Sequence, residues 1–223
     1  MFTDPILNQL VKKYPAPKFE DNADKLYENL IESIVSQQLS VKAADTIYSR
    51  FLTLFRKNAG VARVGDPQNL SGVNEMNEAG FGGDERQDPQ INIFPTPKQI
   101  LAMPDETIRS AGISFQKISY IKSVADAFLS DLIDIKKIQH MSDEEVIAAL
   151  TQIRGVGKWT AEMILIFTLG RPDVFSLGDL GIRNAITKLY GITDKEKMLK
   201  LSESWIPYRS TACWYLWRSL ENK

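Results

Sequence analysis

The heptapeptide "IRGVGKW", residues 153 to 159, breaks a helical pattern with two glycines and lets another restart at once. Before it, "SDEEVIAALTQ" carries a helix start: Ser142 can accept from the amide of Glu145, whose side chain can reach back, a capping box. After it, "TAEMILIFTL" supplies apolar Ala161, Ile164 and Phe167. Two helices can be joined this tightly only where a residue takes positive φ or lets backbones approach closely, and glycine does both. Val156, between the glycines, can anchor the turn in a core. The second helix is expected to begin near Lys158, with its first amides unpaired and the positive end of its dipole behind them. Such an end binds a phosphate, and Lys158 adds a formal charge there. A plain corner between two helices would satisfy the same residues.

The rest of the chain also reads as helical. "LYENLIESIVSQQL" puts Leu26, Leu30, Ile34 and Val35 on one face. "VKAADTIYSRFLTLF" does so with Val41, Ala44, Ile47, Tyr48, Phe51 and Phe55, and "KISYIKSVADAFLSDL" with Ile118, Ile121, Val124, Ala125 and Phe128. The last helix, "ACWYLWRSL", is aromatic. Residues 58–93 differ: they hold six of the thirteen glycines and show no sustained period, which predicts a loop-rich surface insertion. "PQINIF" is the best strand candidate, and it is short.

Composition narrows the chemistry. With 43% apolar and 25% charged residues, the 223-residue chain can bury a sizeable core, as one large domain or two smaller ones sharing a cleft. Nothing in it is long and apolar enough to cross a membrane, and its start resembles no secretory signal. One cysteine, Cys213, and one histidine, His140, exclude disulfide frameworks, most zinc sites and an iron–sulfur cluster held by four thiolates. His140 precedes the helix cap Ser142 and reads as a solvated turn residue. A reducing, cytoplasmic setting is expected. The net charge of −1 means that any grip on nucleic acid must be local, through a basic patch and backbone amides, and not a global field.

Beyond the second hairpin helix, Gly170 and Pro172 give a stop, and "DVFSLGDLG" leads to a further helix near Leu180. Asp179 stands just before that helix. As an N-cap it would accept one amide hydrogen bond, worth about 1 kcal/mol. As a catalytic carboxylate it would stay ionised and face a cleft. The local sequence allows both.

The arrangement L-x-x-I-x-G-V-G-K-x-T-A from Leu150 to Ala161 resembles the helix–hairpin–helix motif, which grips the DNA backbone without reading sequence. An aspartate twenty residues after Trp159 (179 − 159) then resembles the signature of the helix–hairpin–helix DNA glycosylase superfamily. "ESIVSQQLSVKAA" is similar to that family's N-terminal helix pair, and "FPTPKQILAMPDETIRSAGISFQKISYIKSVADAF" to the stretch between its halves. "ESWIPYRSTACWYLWRSL" is similar to its C-terminal helix, with the pattern W-x-P-[WY]-R-S-x-A-x-x-x-x-W. The resemblance covers roughly 25–57 and 94–220 and points to the 3-methyladenine DNA glycosylase II branch.

That resemblance implies an all-α, two-lobed fold around a central cleft: lobe one at about 25–135, and lobe two at about 136–223 with residues 1–24 and the hairpin at 150–167. It implies hydrolysis of the N-glycosidic bond of alkylated bases in duplex DNA, with Asp179 catalytic, and Trp159 and Trp217 in the base pocket. Gln38 and Leu39 would fill the gap left by the extruded base. Gly155, Val156, Gly157, Lys158 and Thr160 would hold the DNA backbone. The carbonyls of Thr151, Ile153 and Val156 would be the place for a monovalent Na+ or K+, and no other cofactor is implied. Bifunctional relatives carry a lysine nucleophile in the slot that Trp159 fills here, so no Schiff base and no strand cleavage are expected. Larger bacterial members have an extra N-terminal β domain where this chain has about 25 residues, so the compact form is implied. A monomer is expected. The rivals are an oxidised-base or mismatch glycosylase on the same scaffold, and a non-catalytic DNA-binding module.

Overall fold

The computed structural model describes residues 2–58 and 94–221. The insertion at 58–93, apart from Asn58, and the strand candidate, apart from Phe94, lie outside the described residues. Within them every regular element is helical.

The chain opens with α1 (Pro5–Lys13), capped by Asp4, whose carboxylate accepts from the amides of Ile6 and Leu7. A single 3-10 turn (Ala23–Lys25) leads into α2 (Leu26–Ser36), followed by α3 (Val41–Asn58). Next come the short α4 (Pro97–Ala102) and α5 (Asp105–Arg109), then α6 (Phe115–Leu129), capped by Ser114. After the four-residue α7 (Ile135–Ile138), α8 (Asp143–Leu150) starts at the expected capping box: Ser142 accepts from the Glu145 amide at 3.2 Å, and Glu145 accepts from the Ser142 amide at 2.8 Å. The hairpin joins it to α9 (Lys158–Phe167), and α10 (Leu180–Tyr190), α11 (Lys195–Glu203) and α12 (Arg209–Arg218) complete the chain.

The apolar stripes point where their periods require. Leu26, Leu30, Ile34 and Val35 on α2, and Ile118, Ile121, Val124 and Ala125 on α6, are fully buried. Each large aliphatic side chain so buried contributes about 1.5–3 kcal/mol. On α3 the stripe holds for Ala44, Phe51 and Phe55, whereas Val41, at its first turn, is 67% exposed. Its neighbours Ser40 and Lys42 are exposed as well.

Two buried clusters form. One gathers α2, α3 and α6, together with Val146, Leu150, Ile153, Val156, Ala161, Ile164 and Leu165 from the hairpin helices. The other gathers Leu7, Leu10 and Tyr14 with Ile182, Ile186, Trp205, Cys213 and Leu216. The boundary expected near residue 136, which assigned the hairpin to lobe two, is therefore corrected: the hairpin buries its residues with lobe one, and the change falls after Val174. The reason is that α9 is apolar on most sides, with Ile164, Leu165 and Ile166 all buried, and it packs against α2. A helix of that composition cannot sit at an edge. The N-terminal segment packs with the second cluster: Asp4 accepts from the Trp205 indole at 3.0 Å and the Tyr190 hydroxyl at 2.8 Å.

Candidate active site

The Asp179 carboxylate receives three donors. Its Oδ1 accepts from the Ile182 amide at 2.8 Å, the N-cap bond of α10, and from the Trp217 indole at 2.9 Å. Its Oδ2 accepts from the Trp159 indole at 2.8 Å. The two readings of this residue thus coexist: it caps the helix, and it is also the shared acceptor of two aromatic side chains from α9 and α12. A carboxylate accepts at both oxygens and donates nothing, which suits a site lined by N–H groups. Trp159 is 46% exposed and Trp217 is half-buried against Phe167, 5.7 Å between ring centroids. Leu180, the next residue, is 62% exposed. Arg183, one helical turn on, donates back to the carbonyls of Leu177 at 3.1 Å and Gly178 at 2.6 Å, which fixes the loop that presents the acid.

Gly181 was not legible as a site residue. A Cβ there would lie 3.1 Å from Asp179 Oδ1 and 3.2 Å from Trp217 Cδ1. The close approach of the indole to the carboxylate needs the missing side chain.

The hairpin glycines serve different ends. Gly155 has φ +93°, and a Cβ on it would collide with the Tyr120 ring, so α6 packs directly on its backbone. Gly157 has an extended backbone and open space where a Cβ would go. It is the N-cap of α9 with no side-chain acceptor, so the amides of Gly157, Lys158, Trp159 and Thr160 have no intrahelical partner; the first helical bond is from the Ala161 amide to the Gly157 carbonyl at 3.0 Å. Among the described residues no contact accounts for a glycine at 157, whereas a ligand approaching those amides would. Lys158 is exposed on this rim, 3.8 Å from Glu162. Thr160 has a buried side chain, so only its amide could meet a phosphate. Val156 is corrected as a backbone-binding residue: its side chain is buried and its amide already donates to the Ile153 carbonyl at 3.0 Å. Its part is to anchor the turn. Arg154, also exposed, stands over the Tyr120 ring at 5.8 Å and brings a second cation to the hairpin.

Gln38 and Leu39 lie in the turn between α2 and α3, both exposed. Gln38 has φ +59°, in the left-handed region, which costs a non-glycine residue about 1–2 kcal/mol. Gln37 beside it donates to the Gly155 carbonyl at 3.3 Å, so this turn and the hairpin are in contact.

Glu162 is a second acid near the site. It is buried, takes the Ser176 hydroxyl at 2.5 Å, and burial pushes its carboxyl above the usual range. It lines an open hollow of about 550 Å³ with Asp143, Arg171, Asp173 and Arg209, a hollow that Asp179 does not line. The charges there are paired internally: Arg209 grips Asp173 at 2.8 and 2.9 Å, and Arg171 lies 3.6 Å from Asp143. Those pairs are structural. Cys213 is fully buried and its thiol is pushed up to about 12, so it is no nucleophile.

Comparison with known proteins places these features in context. The family model for HhH-GPD superfamily base excision DNA repair protein matches residues 31–208. DNA-3-methyladenine glycosylase 1 of Schizosaccharomyces pombe is 39% identical over 197 residues, 86% of this chain and 72% of that relative. Among solved structures, the S. pombe 3-methyladenine DNA glycosylase in complex with abasic DNA is similar with a TM-score of 0.72 and 34% identity, covering 97% of this chain and 92% of that one. A DNA-3-methyladenine glycosidase from Bacillus halodurans follows with a TM-score of 0.70 and 32% identity, covering 97% and 84%.

Gly155→Ala should cost about 2–4 kcal/mol of stability, from the positive φ and the clash with Tyr120. Gly157→Ala should stay within about 0.5 kcal/mol of the parent. Urea denaturation of both variants checks the contrast, and equal losses would contradict it.

Proposed function

Because the chain belongs to the HhH-GPD superfamily of base excision DNA repair proteins, we propose that it hydrolyses the N-glycosidic bond of alkylated bases of the 3-methyladenine and 7-methylguanine type in duplex DNA. The observation that carries this reading is the Asp179 carboxylate held by the indoles of Trp159 and Trp217, Trp159 itself standing in the amide-rich first turn of α9. Breaking the bond develops positive charge on the deoxyribose. A carboxylate fixed beside it stabilises that charge and can take the proton of the attacking water. An N-alkylated purine already carries positive charge and leaves with little acid assistance, so one carboxylate suffices. The base must first leave the stack. Trp159 and Trp217 offer aromatic faces, which attract a cationic base. Gln38 and Leu39 fill the gap.

The hairpin takes the backbone phosphates through the amides of Gly157, Lys158, Trp159 and Thr160, with Lys158 and Arg154 supplying charge. The carbonyls of Thr151 and Val156 accept no hydrogen bond among the described residues, and that of Ile153 accepts one. Those donors suit a monovalent cation, which would neutralise the oxygen-rich side of the turn. With Trp159 in place of an amine, the protein acts as a monofunctional glycosylase and leaves an abasic site with an intact strand. A single copy holds all of these groups, so a monomer acts alone.

Asp179→Asn keeps a good N-cap and removes the charge. Excision from a panel of lesion-bearing duplexes should fall about 10²–10³-fold while binding to an abasic analogue persists. Strand breaks from the parent should appear only after alkali. Wild-type rates in the variant would refute the role of Asp179, and breaks without alkali would indicate a lyase.

Gly181→Ala should gain up to about 0.5–1 kcal/mol in helix propensity, yet lose excision activity because Trp217 and Asp179 must move apart. Thermal unfolding and single-turnover excision, taken together, test it. Gly157→Ala should weaken binding to undamaged duplex about tenfold, the value of one lost amide–phosphate bond. Fluorescence anisotropy at fixed salt measures that loss.

A further inference from the structure

The turn that carries Gln38 and Leu39 is held from outside. Helix α2 ends at Ser36, and its last carbonyls have no partners within the helix. A left-handed residue after a helix is usually glycine, yet here it is Gln38, with φ +59°. The compensating contact comes from α6, some eighty residues away in sequence. The Lys117 ammonium donates to the Val35 carbonyl at 2.7 Å and to the Gln37 carbonyl at 2.7 Å. It thereby places a positive charge at the negative end of the α2 dipole. Partial burial holds its pKa below the usual lysine value, so the ammonium is drawn out of water to make these bonds. A hollow of about 220 Å³ opens beside it, lined by Gln37, Gln38, Leu39, Ser114 and Lys117. The Gln37 side chain runs on to the Gly155 carbonyl at 3.3 Å.

We propose that Lys117 is a positioning residue for base extrusion: by clamping the carbonyls of Val35 and Gln37 it holds residues 37–40 in the conformation that presents Gln38 and Leu39 to the duplex, in register with the hairpin. The proposal rests on the glycosylase reading above. A wedge helps extrusion only if it is already in place when the duplex arrives, because a loose turn must be ordered during the same step. Lys117 touches neither the acid nor the hairpin amides. Its loss therefore slows excision in proportion to how hard the base is to extrude, and leaves bond breaking alone.

The test compares Lys117→Met, which keeps the aliphatic stem and removes the donors, with Lys117→Arg, which can still reach two carbonyls. Single-turnover excision is measured on one alkylated base placed opposite its normal partner and, separately, opposite an abasic site, where extrusion breaks no pair. Hydrogen exchange is followed at the Leu39 amide, which donates to Ser36 at 3.1 Å. For Lys117→Met we expect a ten- to hundredfold loss on the paired substrate, a loss under threefold on the unpaired one, and Leu39 exchange at least tenfold faster. Lys117→Arg should restore all three. An equal loss on both substrates, no loss on the paired one, or unchanged exchange would each overturn the proposal. If the parent protein released no alkylated base, the functional reading would fall, and the exchange comparison would still decide whether the lysine holds the turn.

Discussion

Three N–H groups from three helices converge on one carboxylate, and the site exists only because they do. Trp159 comes from α9, the Ile182 amide from α10 and Trp217 from α12. Helix α9 is buried with one apolar cluster, whereas α10 and α12 belong to the other. Asp179 is thus a polar tie across the seam between the two halves. Charge-assisted hydrogen bonds contribute up to about 1.5–3 kcal/mol each, less for the exposed Trp159 indole, which water can also reach. The group that would do the chemistry is therefore also one that fixes how the lobes meet. Trp217 is packed against both clusters and completes the seam with its ring.

A chain with a net charge of −1 has to solve nucleic-acid binding locally. The hairpin offers a local way to do so with little formal charge. The amides at the start of α9 have no intrahelical partner, a Cβ at Gly157 would meet nothing among the described residues, and the exposed Arg154 and Lys158 flank them. Behind this surface, Val156 is buried and Gly155 lies against Tyr120, so the turn cannot drift. The exposed turn at Gln38 and Leu39 is connected to the hairpin through Gln37, and Lys117 donates to the carbonyls of Val35 and Gln37 beside it. The surface proposed to face the DNA is a set of backbone groups held by side chains underneath. Such a surface can act locally where the global field is weak.

Much of this was readable from residue order. The stripes on α2 and α6, the Ser142–Glu145 capping box, the start of α9 at Lys158 and the start of α10 at Leu180 all follow from local periodicity and capping chemistry. Asp179, Trp159 and Trp217 could be named together because a recurring pattern spans them. Other residues gave no local signal. Gly181 looks like a poor helix residue until Trp217 is seen against it. Lys117 reads as one more solvated lysine on a helix, and its partners are distant carbonyls. Arg154 was in plain view inside the hairpin, but only the direction of the turn shows it on the rim. Val41 erred the other way: it matched the apolar period and lies in solvent, because a period records one face of a helix and not how far the neighbouring helices extend.

The sequence by itself determined the apolar stripes of α2, α3 and α6, the starts of α8, α9 and α10, that α8 and α9 are joined by a glycine hairpin, and that an acid stands just before α10. These depend on φ, on hydrogen bonds between near neighbours and on the spacing of apolar residues, all written within a few positions. Tertiary structure alone decided which lobe owns the hairpin, that Asp179 serves two indoles as well as its own helix, and that a lysine on α6 closes the end of α2. Those outcomes arise from contacts between residues from about twenty to well over a hundred positions apart, where packing of whole helices sets distances that no local pattern encodes.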